Sequence, residues 1–130
     1  MKLREISLHG TTASGGALTV NASEVVFGKL YAVEWIDGTL ADNVTAVISC
    51  QNTPSAAAQT LLTLGAGEGD NDKWYYPRNQ AHGPDATALW YEAANSELVP
   101  AQAIVNGTLR LVIADGGNVK SGGCIVYVEV

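Results

Sequence analysis

The stretch Thr108-Leu109-Arg110-Leu111-Val112-Ile113 points to the fold class, because every second residue in it is strongly apolar. Successive side chains of a β strand point to opposite faces, so its two leucines and its isoleucine would line one side of a sheet. A period of two recurs near residues 29–36, 44–50 and 124–130. These segments are rich in Val, Ile, Thr and Tyr, which favour strands. The pattern predicts an all-β protein.

Turn signals separate the alternating segments. Glycine next to Asp, Asn or Gly tolerates positive φ and marks a turn or a bulge, and such pairs occur at Asp37-Gly38, Asn106-Gly107, Gly116-Gly117 and Gly122-Gly123. Many short strands without alternating helices favour a sandwich over a parallel α/β sheet. We predict a single antiparallel β-sandwich or jelly-roll-like domain over residues 1–130. Residues 1–16 would form an N-terminal arm or edge strand, residues 65–85 an irregular loop, and at most one short helix would follow Thr53-Pro54.

The charge of the chain excludes two classes of partner. The net charge is −6, and the seven Lys and Arg residues are scattered along the sequence. Nucleic acids and anionic membranes both require a concentrated basic patch, so we expect neither as a partner. Charged residues make up 15% of the chain, below the usual share of about 25%. The surface is therefore rich in neutral residues, which is tolerated more easily where partners cover it.

The sequence also shows no secretion signal and no membrane-spanning segment. The N-terminal residues interleave charges with apolar positions and show no apolar signal region. Residues 43–67 are uncharged but contain Asn, Gln, Ser, Thr and Pro throughout, unlike a membrane span. We expect a protein made in the cytoplasm and not inserted into a membrane.

No motif in the sequence indicates catalysis. His82 and Asp85 could be drawn into a Ser-His-Asp arrangement, but no G-x-S-x-G nucleophile motif accompanies them. Glu68, Asp70 and Asp72 could gather oxygen ligands around Ca²⁺, yet the EF-hand pattern is not met. A solvated acidic turn is the preferred interpretation. We expect no enzyme activity, no cofactor and no metal.

The two cysteines fit a buried, reduced state. Cys50 and Cys124 both fall in apolar strand patterns, and the sequence has no CxxC pair. Small buried thiols are common in protein interiors, and a reducing cytoplasm disfavours a disulfide. We therefore predict two free thiols in the core.

The aromatic residues carry the candidate site. Lys73-Trp74-Tyr75-Tyr76-Pro77-Arg78 is the most aromatic stretch and leaves an acidic, glycine-rich loop. Adjacent residues of a strand cannot all face one core, so at least one of these rings must face the other side. Tyr, Trp and Arg are enriched in interface hot spots. We predict an interface made of Trp74, Tyr75, Tyr76, Arg78 and Trp90, and expect Trp35 and Tyr31 to fill the core.

Several segments resemble a known class of viral protein. They are residues 28–35 (Gly-Lys-Leu-Tyr-Ala-Val-Glu-Trp), Tyr75-Tyr76-Pro77-Arg78, residues 105–112 and the Gly-Gly that precedes a Val-x-Val terminus. From about residue 17 onward the chain resembles small decoration (cement) proteins encoded beside the head genes of tailed bacteriophages; Tyr-Pro-Arg is the most telling motif. The resemblance implies a β-sandwich or jelly roll and an oligomer on the outer capsid surface. It supplies no catalytic residues.

The function predicted from this resemblance is structural. The protein would bind the exterior of the virion head as a dimer or trimer and bridge neighbouring major capsid subunits, which would stabilise the shell. Two alternatives remain open from the sequence. One is a head-completion, tail or fibre-associated protein, which copy number in the particle would distinguish. The other is a carbohydrate-binding β-sandwich module that uses the same aromatic residues.

Overall fold

The computed structural model describes residues 2–53, 57–80 and 100–130, and these form nine β strands and no helix. All paired strands are antiparallel, so the predicted all-β antiparallel fold is confirmed. Residues 54–56, where the sequence predicts the start of a short helix, lie outside the described ranges. The strands are β1 (Leu3–Thr11), β2 (Leu18–Ile36), β3 (Thr45–Gln51), β4 (Gln59–Leu64), β5 (Lys73–Tyr75), β6 (Asn79–Gln80), β7 (Pro100–Ala101), β8 (Ile104–Ala114) and β9 (Ser121–Glu129).

The long strand β2 joins two groups of strands. Its first part pairs with β8, and its last eight residues, Lys29–Ile36, pair with β9. We call β1, β9, the second part of β2 and β5 the front layer. The first part of β2, with β8, β3 and β4, is the back layer. At the junction a Cβ atom on Gly28 would lie 2.3 Å from the Glu129 carbonyl oxygen, so only glycine allows β2 to pass so close to β9.

The inward residues of both layers form one apolar core. In β8 every second residue from Val105 to Ile113 is buried, as the period of two requires. Trp35 is the largest fully buried side chain among the described residues. Cys50 and Cys124 are buried free thiols, and burial raises the pKa of Cys124 to about 12. The sequence predicted both the burial of Trp35 and the free thiols correctly.

The N-terminal residues form an edge strand rather than a loose arm. β1 pairs with β9 along its full length, from Leu3 opposite Glu129 to Thr11 opposite Ser121. Thr12 then continues the attachment, because its buried hydroxyl donates a hydrogen bond to the Gly117 carbonyl (2.7 Å) and accepts one from the Lys120 amide (2.9 Å). The described ranges contain no helix with the length and apolar character that crossing a bilayer requires.

Candidate interaction surface

Strand β5 places two of the predicted interface residues, Trp74 and Tyr75, on the front layer. It pairs with residues 33–35 of β2, and Trp74 lies opposite Glu34. Trp74 and Tyr76 are 46% and 58% exposed, whereas Tyr75 between them is half-buried and packs against the core. The alternation of a strand thus sorts the three consecutive rings, two outward and one inward.

The exposed rings meet aromatic residues that other strands contribute. The Trp74 ring lies 5.1 Å from the ring of Tyr127 in β9, at an interplanar angle of 33°. Tyr76 meets Tyr31 of β2 edge-on, at 6.5 Å and 89°. Both are geometries that aromatic pairs favour. We call Tyr31, Trp74, Tyr76 and Tyr127 the aromatic patch. Tyr31, for which the sequence predicts a position in the core, is only partly buried.

A carboxylate borders the aromatic patch. The Tyr127 hydroxyl donates a hydrogen bond of 3.1 Å to Glu34 Oε1. The pKa of Tyr127 is raised, first by burial and then by this carboxylate. Both effects keep the phenol protonated, so the hydroxyl remains a donor that orients the ring.

The remaining predicted interface residues have different positions. The exposed Arg78 uses Nη1 to donate to the Tyr31 carbonyl (3.3 Å) and to the carbonyl of its neighbour Pro77 (2.8 Å), which fixes the chain after β5 against β2. Tyr75 donates its hydroxyl to the Glu68 carbonyl at 2.7 Å and so faces away from the aromatic patch. Trp90 lies outside the described residues.

The acidic loop before β5 is fastened to the rest of the protein. Trp35 Nε1 donates to the Gly69 carbonyl at 2.9 Å. The carboxylates of Asp70 and Asp72 accept hydrogen bonds from the backbone amides of Asn43 (2.7 Å) and Asp37 (2.8 Å). These acidic side chains therefore satisfy backbone donors of neighbouring turns, a role that the sequence did not reveal. In the described part of the chain, no group of three His, Cys, Asp or Glu side chains is arranged to hold a metal.

Asp37 lies beside this loop, in surroundings that disfavour its ionised carboxylate. Its pKa is raised above the ordinary value by burial and then by repulsion from Asp72, Asp42 and Asp70. Its Oδ1 is buried and has no hydrogen-bond partner among the residues that the structure describes. Folding thus disfavours the ionised form of this side chain.

Replacing Asp37 by asparagine is expected to raise the melting temperature at neutral pH. A raised pKa means that the ionised carboxylate destabilises the folded state above that pKa, and that this penalty disappears as the pH falls toward the ordinary value of 3.8. The stability advantage of D37N should therefore shrink as the pH is lowered through this range. Thermal unfolding of both proteins across a series of pH values measures the difference.

Glu5→Gln is the control for Asp37, since it removes one negative charge from an exposed position of β1. It should change the melting temperature little. An advantage of D37N that stayed constant with pH would show that the Asp37 carboxylate is not destabilising.

A second exposed surface lies on the back layer. Phe27 and Ile104 are 61% and 55% exposed, and Val130 borders them. Together with Lys29 they line an apolar groove of about 840 Å³. These outward residues alternate with buried ones in β2 and β8, so the period of two could have located them, but nothing in the sequence marked the face as exposed.

Comparison of the chain with protein-family models, with curated proteins and with solved structures gives no match. The likeness to phage decoration proteins therefore rests on the sequence motifs alone.

Proposed function

We propose that this chain is a structural virion protein that decorates the outer surface of a tailed-phage head and bridges major capsid subunits. The observation that carries the proposal is the aromatic patch, in which the exposed rings of Trp74 and Tyr76 on the front layer pack against the partly buried rings of Tyr127 and Tyr31. Trp and Tyr rings contribute large contact areas with few rotatable bonds, which is why they dominate hot spots. The resemblance to decoration proteins supplies the identity of the partner.

The patch is prearranged for a rigid partner. Trp74 is supported by the Tyr127 ring, which is itself held by Glu34, and β5 is tied down by the acidic loop. A surface that is already ordered loses little conformational entropy on binding. Many copies of a modest contact, repeated over a lattice, can then reinforce a shell by avidity and by selective binding to the assembled state.

The rings of the aromatic patch are uncharged, so the proposed contact with the capsid is made mainly by apolar and neutral polar groups. The net charge of −6 opposes binding to the packaged genome. Tyr127 of the aromatic patch has the carboxylates of Glu34 and Glu5 as neighbours, and Arg78 is engaged with backbone carbonyls. Attachment through apolar and neutral polar groups should therefore persist at moderately high salt, which screens ionic attachments.

A carbohydrate-binding module is the second candidate, and one observation favours it. The exposed Trp74 ring lies beside the Tyr127–Glu34 pair, so a flat aromatic surface and a hydrogen-bond acceptor adjoin each other. Aromatic stacking and carboxylate acceptors suit the apolar faces and hydroxyl groups of sugars. A glycan array that detects Trp74-dependent binding, with no binding to capsids, would favour this function.

The decisive experiment adds purified protein to undecorated capsids of the virus that encodes it, followed by sedimentation. We expect the protein to co-sediment at micromolar concentration, to occur in virions in hundreds of copies, and to make capsids more resistant to heat. Tyr76→Ala and Trp74→Ala should each weaken binding by about 1–3 kcal/mol, the usual range for a hot-spot residue. Their far-ultraviolet circular dichroism should stay that of the wild type, since both rings are exposed.

Phe27→Ala is the matched control, because Phe27 is an equally exposed aromatic residue on the other layer. It should leave capsid binding unchanged. A loss of binding in this variant alone would place the attachment surface in the apolar groove. Wild-type protein that stays in the supernatant, or that is found at only a few copies per virion, would reject decoration in favour of a connector, tail or fibre role.

A further inference from the structure

A polar cleft lies on the outer face of the back layer, away from the aromatic patch. Its volume is about 220 Å³. Four of its lining residues are Asn21 of β2, Ser49 of β3, and Thr108 and Arg110 of β8. They come from three neighbouring strands, so the rigid sheet positions them together.

The strand register places Arg110 at the centre of this group. Arg110 pairs with Asn21 on one side and with Ser49 on the other. Thr108 lies two residues away on the same strand and therefore on the same face. Beside the cleft, the ladder between β2 and β8 is interrupted between Asn21 and Val25. The exposed Arg110 thus has as neighbours on this face Asn21, Ser49 and Thr108, whose amide and hydroxyl groups can donate hydrogen bonds.

The charge of Arg110 is unbalanced at this position. Among the residues that the structure describes, Arg110 is the single cation that lines the cleft, and none of the acidic residues lines it. Two other arginines have clear partners, since Arg4 forms an ion pair with Glu24 and Arg78 donates to the Tyr31 carbonyl. The structure gives Arg110 no hydrogen bond or ion pair to any residue it describes. Its donors are therefore available to an external acceptor.

We propose that this cleft binds a carboxylate group, independently of the function proposed for the aromatic patch. A guanidinium presents two parallel N–H donors that match the two oxygens of a carboxylate. The amide of Asn21 and the hydroxyls of Ser49 and Thr108 can donate to the remaining lone pairs. One cation balances one negative charge. A doubly charged phosphate would lack a second cation in the cleft, and the negative net charge of the protein would repel it further.

The test follows the side-chain NMR signals of Arg110 and Asn21 while acetate replaces chloride at constant ionic strength. One bidentate pair supports a dissociation constant on the order of 5–100 mM, so acetate should produce saturable shifts in that range. Arg110→Gln should weaken binding at least about tenfold, which corresponds to the loss of a charge-assisted pair. Arg110→Lys, which keeps the charge but loses the planar fork, should also weaken it.

Lys120→Gln is the matched control, because it removes one positive charge from an exposed position outside the cleft. It should bind acetate as the wild type does. A blocked peptide with one aspartate provides a second arm of the test. If the peptide binds more tightly than acetate, the ligand is an acidic side chain of a protein partner. If the two bind equally, the ligand is a free carboxylic acid. The proposal would be overturned if chloride shifted the NMR signals as much as acetate, if phosphate bound more strongly than acetate, or if Arg110→Gln left the acetate affinity unchanged.

Discussion

Trp35→Ala is expected to lower the free energy of unfolding by about 3–5 kcal/mol, the usual cost of removing a large buried aromatic side chain. Trp35 is fully buried in the core, and its indole also donates to the Gly69 carbonyl. The variant therefore leaves a cavity, and the acidic loop loses a point of attachment. Chemical denaturation with intrinsic fluorescence from the other two tryptophans measures the change.

Two variants separate the contributions at Trp35. Trp35→Phe retains most of the apolar volume but removes the indole donor, so it should cost less than the alanine variant. Trp74→Ala removes the same side chain from an exposed position and should alter stability far less. If the Trp35 and Trp74 alanine variants were equally stable, Trp35 would not occupy the core as described. A stable Trp35→Ala protein that failed to bind capsids would instead assign Trp35 a role in the interface.

Gly107→Ala is expected to destabilise the protein by about 2–4 kcal/mol, combining backbone strain with overpacking. Gly107 has a φ of 116°, which side chains disfavour. A Cβ atom there would lie 2.1 Å from the Gln51 carbonyl oxygen and 2.6 Å from Asn52 Cα. Both contacts are with backbone, so no side-chain rotation relieves them and β8 must move away from the end of β3. The midpoint of urea unfolding measures the loss.

Gly15→Ala is the control for this substitution. A Cβ atom on Gly15 meets nothing within 4 Å. The variant should be as stable as the wild type or slightly more so, because alanine restricts the unfolded chain. Equal stability of the two alanine variants would mean that the backbone around Gly107 relaxes without cost.

Alternation along single strands was enough to predict the fold class and much of the core. Leu109, Leu111 and Ile113 are buried as their spacing requires, and so are both cysteines. These properties are local, because the geometry of one strand decides which side chains share a face. The same reasoning foresaw that the rings of residues 74–76 could not all face one side, and the structure divides them accordingly.

Pairing between distant strands was beyond the reach of local patterns. Asn106-Gly107 and Gly122-Gly123 resemble turns in the sequence, yet both lie inside strands, β8 and β9. Their glycines are required by close approach of neighbouring backbones, since Cβ atoms would meet the carbonyl oxygens of Gln51 and Leu8. A glycine in the sequence indicates that the backbone has unusual conformational freedom. The fold determines whether that freedom is used for a turn or for the close approach of two strands.

The two surfaces proposed for binding show the same division. The amino-acid sequence was enough to predict that the rings of residues 74–76 follow an acidic loop and cannot all face one side, because adjacency and alternation are properties of one segment. The pairing of distant strands was needed to bring Tyr127 and Tyr31 to these rings, and to place Arg110 between Asn21 and Ser49. These neighbours lie tens of residues apart in the chain. The physical reason is that antiparallel register is a long-range property, fixed when the whole core packs rather than by any single strand.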